Sequence, residues 1–150
     1  MRIALYQPDI PQNTGNIFRL GACLGVSVDI IEPTGFIFDD KRFKRSAMDY
    51  IDHIDYKRHI DWQHFYNWTK KNNFRLILMT TKSQESLYKF KFNPSDILLF
   101  GRESAGVPKN IHNIVDHRLK IPMKGGVRSI NLSSSVALVL GEGLRQTNQL

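Results

Sequence analysis

Three short loops carry the residues of this chain whose types and spacing could do chemistry. The first, Pro11-Gln12-Asn13-Thr14-Gly15-Asn16-Ile17-Phe18-Arg19, joins an apolar run to a helical pattern. An amide at a helix start followed by a cation suits either a helix cap or an anion site. The second, Phe100-Gly101-Arg102-Glu103-Ser104-Ala105-Gly106-Val107-Pro108, follows the apolar run that ends at Phe100. Gly101 lets a ligand approach the backbone, and Gly106 permits a sharp turn before a helix with proline in its first turn. The third runs from Ile121-Pro122-Met123 through Lys124-Gly125-Gly126-Val127-Arg128 to Ser129-Ile130-Asn131-Leu132-Ser133. There a strand ends, a glycine loop follows, and Ser129 or Asn131 caps the next helix. None of the three is a phosphate loop ending in Gly-Lys-Ser/Thr or a three-glycine dinucleotide fingerprint. Taken singly, each also reads as an ordinary cap or turn.

The elements that position these loops alternate between strand and helix. Ile3 to Tyr6, Val26 to Ile31, Arg75 to Met79, Ile97 to Phe100 and Arg118 to Ile121 read as strands, with Ile51 to Tyr56 as an uncertain short one. Helices are expected from an Asn13 cap to Leu24, with Gly25 as the stop. Others are expected over Asp61 to Lys71, Pro108 to Ile114 and Leu132 to Gln146. A short helix at Lys41 to Arg45 is favoured by Asp39 and Asp40 before it, because acids suit a helix N-terminus. In the last helix Leu132, Val136, Val139, Leu140 and Leu144 share a face. The pattern is α/β, with a mainly parallel sheet covered by helices on both faces. In α/β sheets ligands bind at the carboxyl ends of strands, where all three loops fall.

At 150 residues the chain suits a single domain, residues 1–150, with a core that needs no metal or disulfide. Cys23 is the one cysteine, which rules out an internal disulfide and fits a reducing cytoplasm. The opening residues read as a first strand rather than a signal peptide, and no run is long enough to span a membrane. The net charge of +7 favours a polyanionic partner without naming one.

In order, Asn13 with Arg19, Phe-Gly-x-Glu at 100–103, and Ile-Pro-Met followed by Ser-x-Asn-Leu-Ser at 129–133 resemble the three motifs of SPOUT RNA methyltransferases. The resemblance covers the whole chain. The runs from Leu5 to Asn16 and from Gly35 to Arg42 are similar to the minimal subgroup that methylates the 2′-oxygen of the tRNA wobble nucleotide, cytidine or modified uridine. Family members commonly carry proline where Arg102 stands, asparagine where Ser134 stands, and a tyrosine near Gly141. The resemblance implies a C-terminal trefoil knot and S-adenosylmethionine as cofactor. It also implies a homodimer whose active site is shared between subunits. It assigns cofactor contacts to Met79, Gly101, Ile121, Ser129 and Leu132. It assigns the catalytic site to Arg19, Asn13, Glu103 and Asn131, with Arg19 near the reacting hydroxyl. From its charge, Glu103 is expected to anchor Arg19 or its own loop. The small residues Ser133, Ser134, Ser135, Gly141 and Gly143 would let the last helix approach a partner closely.

Lys41, Arg42, Lys44 and Arg45, with Lys124 and Arg128 near the cofactor loop, are candidate phosphate contacts or a solvated face. His53 and His59, with Asp49, Asp52, Asp55 and Asp61 nearby, match no metal-ligand spacing and read as polar surface, so no metal is expected. His112 and His117 read as structural, and the aromatics between 62 and 68 as packing. The competing functions are a SPOUT enzyme acting on rRNA or another tRNA position, a non-catalytic RNA-binding protein, and a doubly wound nucleotide-binding protein.

Overall fold

A computed structural model describes residues 1–38 and 41–149, without the side chains of 48 and 49. Asp39 and Asp40, expected to favour the short basic helix, lie outside the described residues.

The chain runs β1 (Arg2–Tyr6), α1 (Pro11–Leu24), β2 (Ser27–Ile31), α2 (Lys41–Ala47), a 3₁₀ turn (Met48–His53) and β3 (Tyr56–His59). It continues through α3 (Trp62–Lys71), β4 (Leu76–Met79), a 3₁₀ turn (Leu87–Lys89) and β5 (Ile97–Phe100). It ends with α4 (Lys109–Ile114), β6 (His117–Leu119) and α5 (Leu132–Gln146). The strands form one sheet in the order β3-β2-β1-β5-β4-β6. Among the described residues all five strand pairings are parallel, so the expected mainly parallel sheet is found.

Alternation along the strands divides the core between two faces. Ile3, Leu5, Val28, Ile30, Leu98 and Phe100 pack under Ile17 and Phe18 of α1, Phe43 of α2, and Val136, Val139, Leu140 and Leu144 of α5. Ala4, Tyr6, Ile31, Leu76, Leu78 and Leu99 face Phe65 of α3 and Ile111 of α4. Helices therefore cover both faces, as the pattern requires. The apolar face read into the last helix is the one it buries. Trp62, Tyr66 and Trp68 pack beside Phe65, so these aromatics are packing.

Several boundaries differ from expectation. Asn13 is not the cap of α1. Pro11 takes the first position, where its missing N–H costs nothing, and Ile10 precedes it without a side-chain cap. Gly25 does end α1, at φ 65°, and its N–H donates to Gly21 O. Pro108 is the extended residue before α4 rather than part of its first turn. The uncertain strand at 51–56 is a 3₁₀ turn, and the strand follows it at Tyr56–His59.

His59 is not surface. It is fully buried, and its Nε2 lies 2.8 Å from Oδ1 of the equally buried Asp29. Arg2 Nε donates to the other Asp29 oxygen at 2.8 Å. Breaking such a buried pair from one side typically costs about 3–5 kcal/mol. Asp29 therefore ties β1, β2 and β3 together at the half of the sheet remote from β4 and β6.

Candidate active site

The carboxyl ends of β4 and β5, the loop after β6 and the start of α5 enclose a cavity of about 580 Å³. Its apolar walls include Leu78, Met79, Phe100, Ile121, Met123 and Leu132. Its polar edge includes Asn13, Glu103, Arg128, Ser129 and Asn131. The volume lies in the usual range for small-molecule pockets, about 300–1,000 Å³. Every residue assigned to cofactor contact at the sequence level (Met79, Gly101, Ile121, Ser129 and Leu132) lines this cavity.

A line of hydrogen bonds joins the three loops. Asp9 N–H donates to Glu103 Oε2 at 2.8 Å, and Asn13 Nδ2 donates to Glu103 Oε1 at 3.0 Å. Asn13 Oδ1 in turn accepts from Asn131 Nδ2 at 2.9 Å. Asn131 Oδ1 caps α5, accepting from Ser133 N at 2.9 Å and Ser134 N at 3.3 Å. Of the two cap candidates, Asn131 fills the position. Glu103 thus anchors the β1–α1 connection rather than Arg19. Its two acceptor oxygens are each occupied by a donor from another segment.

Gly101 is needed for a reason other than ligand approach. A Cβ there would lie 2.5 Å from the carbonyl carbon of Gly106. The 102–106 loop folds back on itself, with Arg102 N donating to Gly106 O at 3.2 Å and Gly106 N to Arg102 O at 2.8 Å. Gly106 makes the turn at φ 67°, a conformation that side chains disfavour.

The sequence reading missed a second brace. Arg102 Nη2 donates to Asp9 Oδ1 at 2.9 Å, and Ser104 N donates to Asp9 Oδ2 at 3.0 Å. Arg102 Nη1 also reaches Gln7 Oε1 at 3.4 Å. Partial burial opposes the Asp9 charge, but the bonds from Arg102 and Ser104 together outweigh it and hold the carboxyl below its ordinary 3.8. A depressed carboxyl stabilises the fold above its unfolded-state pKa and loses that contribution as pH falls through the lower folded value. Urea unfolding of the Asp9→Asn variant and the parent should therefore differ by a constant amount above about pH 5, and the gap should close below about pH 4. A gap unchanged down to pH 2 would rule out the charged brace.

His112, expected to be structural, lines the cavity together with Lys82, Thr80 and Thr81, which the sequence reading also missed. Burial, with Lys82 and Arg118 nearby, lowers its imidazole below the ordinary 6.5.

Other expected residues lie elsewhere. Arg19 is exposed and does not line the cavity; its guanidinium sits 5.3 Å from the centre of the Tyr50 ring. Lys41, Arg42, Lys44 and Arg45 are exposed on α2. Lys124 is exposed in the third loop, and Arg128 is at the cavity edge. Gly143 serves its own chain: a Cβ there would lie 2.7 Å from Met1 Sδ, whereas Gly141 faces open space. Among the described residues no cluster of three or more His, Cys, Asp or Glu side chains could hold a metal ion. Nor is any described helix long and apolar enough to cross a membrane.

Comparison with known proteins agrees with this geometry. Residues 1–141 match the model of the SpoU rRNA Methylase family. A tRNA (cytidine(34)-2′-O)-methyltransferase of Beijerinckia indica subsp. indica is 49% identical over 148 residues, covering 99% of this chain and 92% of that protein. The protein of the same name from Escherichia coli K12 is 40% identical over 148 residues, covering 97% and 93%. A solved structure described as giving insights into the 2-OH methylation of C/U34 on tRNA superposes with a TM-score of 0.92 at 38% identity, covering 97% of this chain and 94% of that one. AviRb from Streptomyces viridochromogenes, solved in complex with AdoMet, shares the fold at a TM-score of 0.89 and 22% identity, covering 97% of this chain and 57% of that one. With a family match over nearly its whole length and relatives this similar from end to end, the chain belongs to the SpoU methylase family.

Proposed function

We propose that this chain transfers a methyl group from S-adenosylmethionine to the ribose 2′-oxygen of the tRNA wobble nucleotide, cytidine or modified uridine. The observation that carries this reading is the end-to-end likeness to tRNA (cytidine(34)-2′-O)-methyltransferases. The cavity suits the cofactor. Its apolar walls can take a neutral adenine, and the loops after β4, β5 and β6 offer backbone donors and acceptors. Met79, Gly101, Ile121, Ser129 and Leu132 are the residues that would hold it. When bound, S-adenosylmethionine supplies a methyl on a sulfonium, an electrophile that needs no metal.

The protein's task is then to hold one hydroxyl in line with that methyl. Well-oriented reactions gain roughly 7–11 kcal/mol from positioning. Asn13, Glu103 and Asn131 fix the loops that frame the approach. The hydroxyl loses its proton as it attacks, and a guanidinium, with a pKa above about 12, does not take it. Arg19 stabilises the developing alkoxide by charge and hydrogen bonds. In this reading Arg19, which does not line its own chain's cavity, serves the cavity of a second copy, in the homodimer with shared sites that the family resemblance implies. Leu138, 42% exposed beside Ser134 and Ala137 on α5, offers apolar surface for that contact.

The proposal extends to a trefoil knot near the C-terminus and a single methyltransferase domain over residues 1–150, a reading that the family match over residues 1–141 supports. The cytoplasm is where a tRNA substrate and a free Cys23 fit. Lys41, Arg42, Lys44, Arg45 and Arg128 are proposed phosphate contacts. Purified protein incubated with labelled S-adenosylmethionine and total tRNA should place label on the 2′-oxygen of the wobble nucleotide, as mapped by mass spectrometry. Label only elsewhere in tRNA, or only in rRNA, would overturn the substrate assignment.

A further inference from the structure

Lys82 and His112 line the cofactor cavity on one side and a second groove of about 780 Å³ on the other. This groove is walled by the segment after β4, by Lys109, His112 and Asn113 of α4, and by His117 and Arg118 of β6. Its charges do not balance. Lys82, Lys109 and Arg118 face Glu85 and Asp116, and Asp116 is already engaged. The Asp116 carboxylate accepts from Leu76 N at 2.8 Å and from Lys70 Nζ at 3.3 Å. Arg118 is held in place, its Nη1 donating to His112 O at 3.3 Å. Burial first, and then the nearby Lys82 and Arg118, lower the His112 imidazole below its ordinary value, in keeping with cations gathered at this rim.

We propose that this groove binds the backbone phosphates of the tRNA strand next to the nucleotide whose ribose enters the cavity. The proposal rests on the tRNA reading above. A target ribose is one unit of a polyanionic chain, so the adjoining phosphates must cross the rim of the cavity. The groove meets the cavity at Lys82 and His112, and its excess cations sit where such a strand would continue. It is distinct from the basic face of α2, whose residues line neither the cavity nor the groove. The imidazole of His112 and the amides of Gln84 and Asn113 add polar partners.

The test is the salt dependence of tRNA binding by the full-length protein. Each lost phosphate contact on single-stranded nucleic acid flattens the slope of log K against log salt by about 0.7. The Lys109→Gln/Arg118→Gln variant should lose about 1.4 of slope and bind tRNA roughly tenfold more weakly at low salt. Its affinity for S-adenosylmethionine, measured by calorimetry, should stay within about twofold, because neither residue lines the cavity. Arg118→Lys, which keeps the charge, should retain most of the slope. A matched variant outside the groove, Lys89→Gln/Lys91→Gln, should change the slope less. An unchanged slope in the groove variant, with wobble methylation intact in the parent, would overturn the groove and leave the function standing. Equal flattening by the matched variant, or loss of cofactor rather than tRNA affinity, would also overturn it. A parent protein that binds no tRNA would remove both the groove and the substrate reading.

Discussion

Replacing Glu103 with alanine should slow methyl transfer about a hundredfold while leaving the protein folded. Glu103 accepts from Asp9 N and Asn13 Nδ2, and Asn13 accepts from Asn131. Without the carboxylate, one backbone N–H and one side-chain amide lose their partner in a part-buried setting. Each unsatisfied group costs about 1–3 kcal/mol. The three loops would then settle separately, and a displacement of about 1 Å at a reacting centre can cost two orders of magnitude. Glu103→Gln keeps one acceptor oxygen but turns an NH₂ toward a donor, so it should fall between parent and alanine variant. The stricter measurement is a double-mutant cycle with Asn13→Ala, read in single-turnover rate and in urea stability. Residues in one hydrogen-bonded network couple by about 0.5–3 kcal/mol. Strict additivity in both readouts would mean that the three loops are positioned independently, and the hydrogen-bonded line would not be what frames the site.

The features legible in the sequence were those that repeat along the chain. Short apolar runs placed β1, β2, β4 and β5, because strands buried on both faces read that way. β3 was hidden for the opposite reason. Its residues, Tyr56-Lys57-Arg58-His59, form an edge strand whose first three side chains are exposed. Charged side chains on an edge also discourage pairing with other chains, and they erase the apolar signal. His59 read as polar surface because its partner, Asp29, is distant in sequence. The available clue was Asp29, a carboxylate inside the apolar strand Ser27–Ile31, which must find a partner when buried. Asn13 looked like a cap because its residue type and position suit one. Its amide instead bridges Glu103 and Asn131, contacts that require the three loops to be brought together first. The Asp9–Arg102 brace depends on β1 lying beside β5, which is a property of the strand order. Residues 9 and 102 are neighbours only after the chain has crossed from one half of the sheet to the other.

Arg19 poses the remaining question of assembly, and its replacement should have the largest catalytic effect. Arg19→Ala should lower turnover roughly 10²–10³-fold, as expected when a donor aimed at a developing oxyanion is removed. Cofactor affinity should not change, since Arg19 does not line its own cavity. Arg19→Lys keeps the charge but loses the planar fork, and near-normal turnover would mean that charge alone suffices. The geometry makes a sharper demand. If Arg19 completes the cavity of a second copy, the Arg19→Ala and Glu103→Ala proteins carry defects in different halves of a composite site. In a heterodimer of the two, one site receives Arg19 from the Glu103→Ala copy and Glu103 from the Arg19→Ala copy, and is whole. The other site lacks both. Random reassortment of equal amounts makes half the dimers mixed, so activity should recover to about a quarter of the parent value. Native mass spectrometry can confirm that mixed dimers have formed. Mixed dimers without recovered activity would place Arg19 and Glu103 in the same site on the same chain. The exposed position of Arg19 over Tyr50 would then have to change when substrate binds.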